Sequence, residues 1–262
     1  MPVLQIDASV VDNLDLVKDH KVLVCHAPAI AGQAQPGHFV NVLASDSASA
    51  ILRKPFSIYR ADPETGRIAM LYQVKGPTTI GMAHKRPGDR IDLVGPLGGA
   101  VFARDARPDV HHIMVGGGYG VPPLVFLTER LLQTAPDARI TFLVGARSLE
   151  RVLCHDELES LGVALRPSTE DGSLGTRGRV TDVLCDIIDE NAAVYCCGPT
   201  AMMRAVSAMC LAAGAACQVS LEVPMPCGVG VCMGCVVDTA DGTRVRACCE
   251  GPVFDARKVV WK

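Results

Sequence analysis

Apolar residues in the first hundred positions come in short runs broken by polar and turn-forming residues, a pattern of strand rather than helix length. Residues 22–27, 39–43, 56–60, 68–74 and 90–94 read as strands. Gln35-Pro36-Gly37-His38 separates the first two, Asp62-Pro63-Glu64-Thr65-Gly66 forms a hairpin loop between the next two, and Gly88-Asp89 punctuates the approach to the last. One helical stretch falls near 78–84. Short strands at this spacing predict a small antiparallel β-barrel over residues 1–103.

The rhythm changes from 104 to 217. Buried-type strands at 111–115, 140–145, 163–168 and 193–197 alternate with helical patterns at about 124–133, 156–160, 178–189 and 200–214. Alternating strands and helices predict a doubly wound parallel α/β sheet. The remainder, 218–262, is rich in cysteine and glycine and reads as a small third domain. The predicted fold class is therefore multi-domain: barrel, α/β domain, and a C-terminal domain built around its cysteines.

That last domain carries the sharpest chemistry. Cys227-Gly228-Val229-Gly230-Val231-Cys232-Met233-Gly234-Cys235 is followed by Cys248-Cys249. The spacing C-x4-C-x2-C with a distal cysteine is the plant-type ligand pattern of a [2Fe-2S] cluster. Gly228, Gly230 and Gly234 let backbone amides approach the sulfurs. A zinc site usually shows two short C-x2-C pairs, so the four-residue gap fits it poorly. Spacing alone leaves Cys248 and Cys249 as rival fourth ligands.

Composition narrows the setting. The chain of 262 residues is 49% hydrophobic, ample for two or three cores. Its 25 basic and 28 acidic residues give a net charge of −3, no electrostatic footprint for nucleic acid. No apolar run approaches the length of a membrane span, and the first residues lack the form of a signal peptide. Twelve cysteines in such a chain point to the reducing cytoplasm, most of those outside the cluster motif serving as small buried hydrophobes.

Four further stretches offer binding chemistry. Leu52-Arg53-Lys54-Pro55-Phe56-Ser57-Ile58 sets two cations, a rigid proline and a hydroxyl at a strand start. Gly76-Pro77-Thr78-Thr79 opens a helix with hydroxyls and free amides, an anion site. Together they could clamp a pyrophosphate; a solvated strand start and an ordinary threonine cap explain them equally well. Gly116-Gly117-Gly118-Tyr119-Gly120 lies between a strand and a helix, where amides meet a dinucleotide pyrophosphate, although it is not G-x-G-x-x-G. Cys197-Gly198-Pro199 ends another strand at the same edge of the sheet, either beside the ligand or packed on the next helix.

These pieces together resemble the electron-transfer subunit of class 1B, NAD-dependent dihydroorotate dehydrogenase, in the ferredoxin reductase superfamily. The resemblance rests on the Lys54-Pro55-Phe56-Ser57 strand, the glycine turn leading into Val121-Pro122-Pro123-Leu124, and Cys197-Gly198-Pro199 with Met202-Met203. Thr169-Glu170-Asp171-Gly172-Ser173-Leu174-Gly175, Ser220-Leu221-Glu222 before the cysteines, and Cys248-Cys249-Glu250-Gly251-Pro252-Val253-Phe254 extend it over nearly the whole chain.

The resemblance implies an FAD-binding barrel, an NAD-binding α/β domain and a cluster domain. It places FAD on Lys54, Pro55, Phe56, Ser57, Met70, Leu71, Tyr72, Thr78 and Thr79. Lys54 stands where the family usually has arginine, keeping the charge but losing the bidentate fork on phosphate. NAD falls on Gly116, Gly117, Gly118, Gly120, Cys197, Gly198 and Pro199. The cluster falls on Cys227, Cys232, Cys235 and Cys248, the register of Glu250-Gly251-Pro252 favouring Cys248 over Cys249. The implied relay runs from an FMN-containing catalytic partner, in a heterotetramer of two plus two, through cluster and FAD to NAD+, as a step of pyrimidine synthesis. It requires no acid or base, so no catalytic residue is nominated; Cys197 stands nearest the nicotinamide. A reductase of the same architecture serving another partner (sulfide dehydrogenase-like, bifurcating or oxygenase), or a redox-sensing cluster protein, are the alternatives. Arg147-Ser148 after the 140–145 strand leaves NADP open.

Overall fold

The computed structural model describes residues 2–44, 52–103, 107 and 109–261. It divides into two compact units. One comprises Met1–Val101, Val223–Val236 and Val245–Pro252, the other Phe102–Glu222, Val237–Arg244 and Val253–Lys262. The segment after Glu222 thus contributes alternately to both units. The domain boundary expected after residue 103 falls at residues 104–106, which lie outside the described residues.

The first unit is built on β1 (Leu4–Val17), β2 (His20–His26), β3 (Phe39–Leu43), β4 (Lys54–Ser57), β5 (Arg60–Asp62), β6 (Arg67–Gln73) and β7 (Arg90–Leu97). Their order is β4-β3-β7-β1-β2-β6-β5, and every neighbouring pair is antiparallel. β1, absent from the predicted strands, is the longest of them. Its signal is the alternation Leu4, Ile6, Ala8, Val10, after which a register shift between Val10 and Asp12 interrupts the period.

The strand expected at 56–60 is two strands. Between β4 and β5 the Ile58 N–H donates to His38 O at 3.0 Å, and the Tyr59 N–H to Ala69 O at 2.8 Å. The chain therefore leaves the β3 side and joins the β6 side within two residues, and a continuous strand cannot make both bonds. Phe56 meets Tyr72 edge-on, ring centroids 6.3 Å apart, closing the barrel between β4 and β6. Two short helices, α1 (Pro28–Ala31) and α2 (Pro77–Ala83), complete this part.

In the second unit β8 (His111–Gly117) leads through α3 (Val121–Thr134) to β9 (Ile140–Ala146), α4 (His155–Ser160), β10 (Ala164–Thr169) and the short β11 (Thr176–Arg177). Then come α5 (Val180–Cys185), β12 (Ala192–Cys197), α6 (Thr200–Ala213) and β13 (Ala216–Ser220). The residues of β14 (Val236–Asp238) and β15 (Arg244–Arg246), a two-stranded ribbon, are divided between the units, and β16 (Val253–Asp255) of the second unit ends the strands. The large sheet has the order β11-β10-β9-β8-β12-β13-β16, parallel except for the antiparallel edge strand β16.

Ile113, Val115, Leu143, Val194, Cys196 and Val219 bury one face of this sheet against Val183 and Leu184 of α5 and Met203, Val206 and Cys210 of α6. Cys25, Cys196, Cys210 and Cys217 are buried free thiols, as expected of small core residues. β8 is the first strand of the unit and sits mid-sheet. The chain winds outward from it on one side through β9 and β10, then returns to β12 on the other. The sheet's switch point therefore lies between β8 and β12, where such folds open a ligand crevice at the strands' carboxyl ends.

Candidate functional site

The cysteine motif lies in the same unit as the barrel. Gly228 (φ +69°) and Gly230 (φ +80°) turn the backbone left-handed at alternate positions, which directs successive N–H groups inward. Their target is Cys227. Burial of its sulfur opposes ionisation, but the N–H groups of Cys232, Val229 and Val231 and the Cys232 thiol bring its pKa down to about 6. The Gly234 N–H approaches the Cys232 sulfur at 3.4 Å. Val229, Val231 and Met233 point outward and are 42%, 78% and 58% exposed, an apolar surface around the sulfurs.

Cys235 and Cys248 form a second sulfur pair, both buried, with 3.2 Å between Sγ atoms. The Ala247 N–H donates to Cys235 O at 3.0 Å and fixes that register. Cys249 is left outside the pairs: its Sγ lies 3.7 Å from that of Cys248 and faces Gly230, where a Cβ would come within 2.6 Å of it. Sulfurs grouped two and two, one group wrapped in amide donors, fit the ligand demand of a cluster with two irons.

Two contacts that sequence reasoning missed hold this motif in place. Asn41 of β3, fully buried, donates through Nδ2 to Met225 O at 3.2 Å and anchors the chain entering the motif. Arg246 donates through Nη1 to Gly230 O at 3.1 Å, while its Nε and Nη2 grip the Glu250 carboxylate. A lone asparagine in an apolar strand and an arginine two residues before a cysteine carry no periodic signal.

The expected flavin stretch is divided in its roles. Arg53 is committed to the Asp92 side chain and carbonyl, so of the two cations Lys54 is the one standing exposed. Pro55, Phe56 and Ser57 are partly exposed along β4. Met70, Leu71 and Tyr72 are buried in β6, and the Tyr72 hydroxyl donates to Asn13 Oδ1 at 2.9 Å. Thr79 closes its own helix turn, its hydroxyl accepting from the Lys75 and Gly76 N–H groups at 3.0 Å. Thr78 is buried, and the space over Gly76 is open. What can receive an anion here is the Lys54 ammonium, since the Lys75 and Gly76 N–H groups are already taken by the Thr79 hydroxyl.

In the second unit the glycine turn and the 197–199 turn pack against each other at the switch point. A Cβ on Gly120 would lie 1.9 Å from Cys197 O, and one on Gly117 would lie 2.8 Å from Met202 Sδ and 3.1 Å from Pro199 Cδ. Gly118 differs: it is exposed, its φ is +52°, and nothing lies within 4 Å of where its side chain would start. The turn is closed on the protein side and open on the other, as a nucleotide approach requires. Burial, reinforced by the Glu222 carboxylate and opposed by a Ser220 hydrogen bond, pushes the Cys197 thiol up to about 12. A neutral, buried thiol packs; it does not shuttle protons near pH 7.

Two family signatures match this chain. The iron–sulfur cluster binding domain of dihydroorotate dehydrogenase B covers residues 222–260, and the oxidoreductase NAD-binding domain covers 114–208. The electron transfer subunit of dihydroorotate dehydrogenase B (NAD(+)) from Desulforamulus reducens is 36% identical over 241 residues, 90% of each chain. Its counterpart from Geobacillus kaustophilus is 37% identical over 228 residues, 86% of this chain and 87% of the other. Among solved structures, an NADH-dependent reduced ferredoxin-NADP oxidoreductase studied for flavin-based electron bifurcation superposes with a TM-score of 0.85 at 29% identity, covering 97% of this chain and 90% of that one. A ferredoxin NADP+ reductase from Neisseria gonorrhoeae, 15% identical, shares the fold with a TM-score of 0.67 over 80% of this chain and 92% of that one. Among the described residues no helix is long and apolar enough to cross a membrane. With two paired sets of thiols in the barrel unit, an open glycine turn at the switch point of an NAD-binding domain, and relatives matched along nearly its full length, the chain belongs to the family of electron transfer subunits of dihydroorotate dehydrogenase B.

Proposed function

We propose that the chain carries electrons between a partner subunit that oxidises dihydroorotate and NAD+. The observation that carries this reading is the two-and-two grouping of Cys227 with Cys232 and Cys235 with Cys248 in the unit that also forms the barrel. We assign those four cysteines to a [2Fe-2S] cluster. FAD is assigned to the barrel along Lys54, Pro55, Phe56 and Ser57, with Met70, Leu71 and Tyr72 forming the wall beneath it and Thr78 and Thr79 shaping the turn at its phosphates. NAD is assigned to Gly116, Gly117, Gly118 and Gly120, with Cys197, Gly198 and Pro199 packed alongside. Bound together, such groups link one-electron transfer at the cluster to hydride transfer at nicotinamide through the flavin.

The chain's own residues bind, orient and exclude water. Backbone amides hold the Cys227 sulfur as thiolate, ready to ligate metal. Buried Cys235 and Cys248 keep water from the second pair. Val229, Val231 and Met233 offer the apolar surface on which a partner that exchanges electrons with this site can dock. The partner is taken to be an FMN-containing catalytic subunit in a two-plus-two heterotetramer. A cytoplasmic setting suits the twelve cysteines, all of them free thiols.

Anaerobic titration of the purified chain with NADH and, separately, NADPH tests the reading, with flavin bleaching and cluster absorption followed together. Fast reduction of both centres by NADH is expected. A preference for NADPH would move the assignment to another reductase with this architecture. Iron without any bleaching would reduce the protein to a cluster carrier.

A further inference from the structure

The Arg246–Glu250 ion pair forms a one-turn knot beside the cysteine motif. The Arg246 N–H donates to Glu250 Oε2 at 2.6 Å, and the Cys249 and Glu250 N–H groups return to Arg246 O at 2.9 and 2.8 Å. Cys248 and Cys249 ride on this turn. The guanidinium is used on both edges. Nε and Nη2 face the Glu250 carboxylate, with Nε 3.2 Å from Oε2, while Nη1 reaches away from it to Gly230 O in the Cys227–Cys232 loop. The cation therefore stands between the loop and the carboxylate.

Gly230 shows how close this is. A Cβ there would lie 2.9 Å from Arg246 Nη1 and 2.6 Å from Cys249 Sγ, so guanidinium and sulfur share the space above one glycine.

A fixed positive charge near an iron–sulfur cluster stabilises its reduced, more negative form, and a fixed negative charge does the opposite. The pair also holds the loop, so its electrostatic part shows in shifts of opposite sign rather than in stability. We propose that Arg246 and Glu250 are positioning residues that set the cluster's reduction potential in opposite senses. Arg246, anchored on the Gly230 carbonyl, raises it, and Glu250 lowers it by offsetting part of that charge. The inference rests on the cluster assignment made above.

The experiment is an EPR-monitored redox titration of the holoprotein and of Arg246→Gln, Glu250→Gln, Arg246→Lys and the double glutamine variant. Arg246→Gln is expected to move the cluster midpoint to lower potential and Glu250→Gln to higher. Arg246→Lys, which keeps the charge, should stay near the parent, as should the double variant. Both single glutamine variants break the same ion pair, so a merely structural role would shift them the same way. Shifts of one sign, or none in either, overturn the proposal. Should Arg246→Gln fail to hold iron, Glu250→Gln and Arg246→Lys decide it: a rise in the first with a parent-like second supports the proposal, and anything else overturns it. A parent protein that binds no cluster when reconstituted would instead refute the functional assignment beneath it.

Discussion

Cys248 and Cys249 are adjacent, yet their surroundings separate them. Cys248 is buried against the Cys235 sulfur, whereas Cys249 is partly exposed and faces Gly230. Cys248→Ser should abolish the visible absorption of the reconstituted protein, and Cys249→Ser should leave it; the reverse result would transfer the ligand role. Spacing alone could not separate the two residues, because a register of one along the chain is invisible to a ligand count. The family register of Glu250-Gly251-Pro252 favours Cys248, and burial together with the bond from Ala247 to Cys235 turns that same sulfur inward. Arg53 and Thr79 make the same point from the other side. Both look like phosphate ligands in sequence, and the fold uses the first on Asp92 and the second on its own helix turn.

At the level of elements, the alternation of apolar runs was enough to locate most strands of both units, and the glycine turn was legible from its place between strand and helix. What escaped were β1, whose alternation is interrupted by a register shift, the short β13 and the edge strand β16, whose pairing supplies what their sequences lack, and the break between β4 and β5. The turn after β8 makes a separable prediction. Gly120→Ala puts a methyl group 1.9 Å from Cys197 O, a clash with backbone that should destabilise the second unit by several kcal/mol, to be read as a lowered thermal midpoint. Gly118→Ala meets open space and carries only the left-handed backbone strain of about 1–2 kcal/mol. It should leave a folded protein whose KM for NADH rises several-fold. Equal effects of the two substitutions would count against the turn as a nucleotide site.

On the scale of the whole molecule, acid should find a weak point in the barrel unit. Burial lowers the His38 pKa from 6.5 to about 4, and its Nδ1 accepts the Gln35 N–H at 3.0 Å, which requires the neutral ring. Below pH 6.5 the unfolded chain takes up a proton that the folded chain refuses. Stability should therefore fall as pH drops from 6.5 to about 4 and level off beneath it. At roughly 1.4 kcal/mol per pH unit, the fall from 6.5 to about 4 makes the loss about 3.5 kcal/mol. Urea midpoints measured across that range should show this slope in the parent and lose it in His38→Gln; an unchanged slope in the variant would assign the acid sensitivity elsewhere.

The alternation of the chain between the two units after Glu222 has a consequence for biogenesis. Unit one needs residues up to Pro252, and unit two takes its edge strand from Val253–Asp255. Each unit therefore depends on segments that follow Glu222, and neither completes its fold from the residues before it. The thiols of unit one cannot gather before Cys248 has been made, and loss of Val253–Asp255 would leave unit two without its antiparallel edge strand.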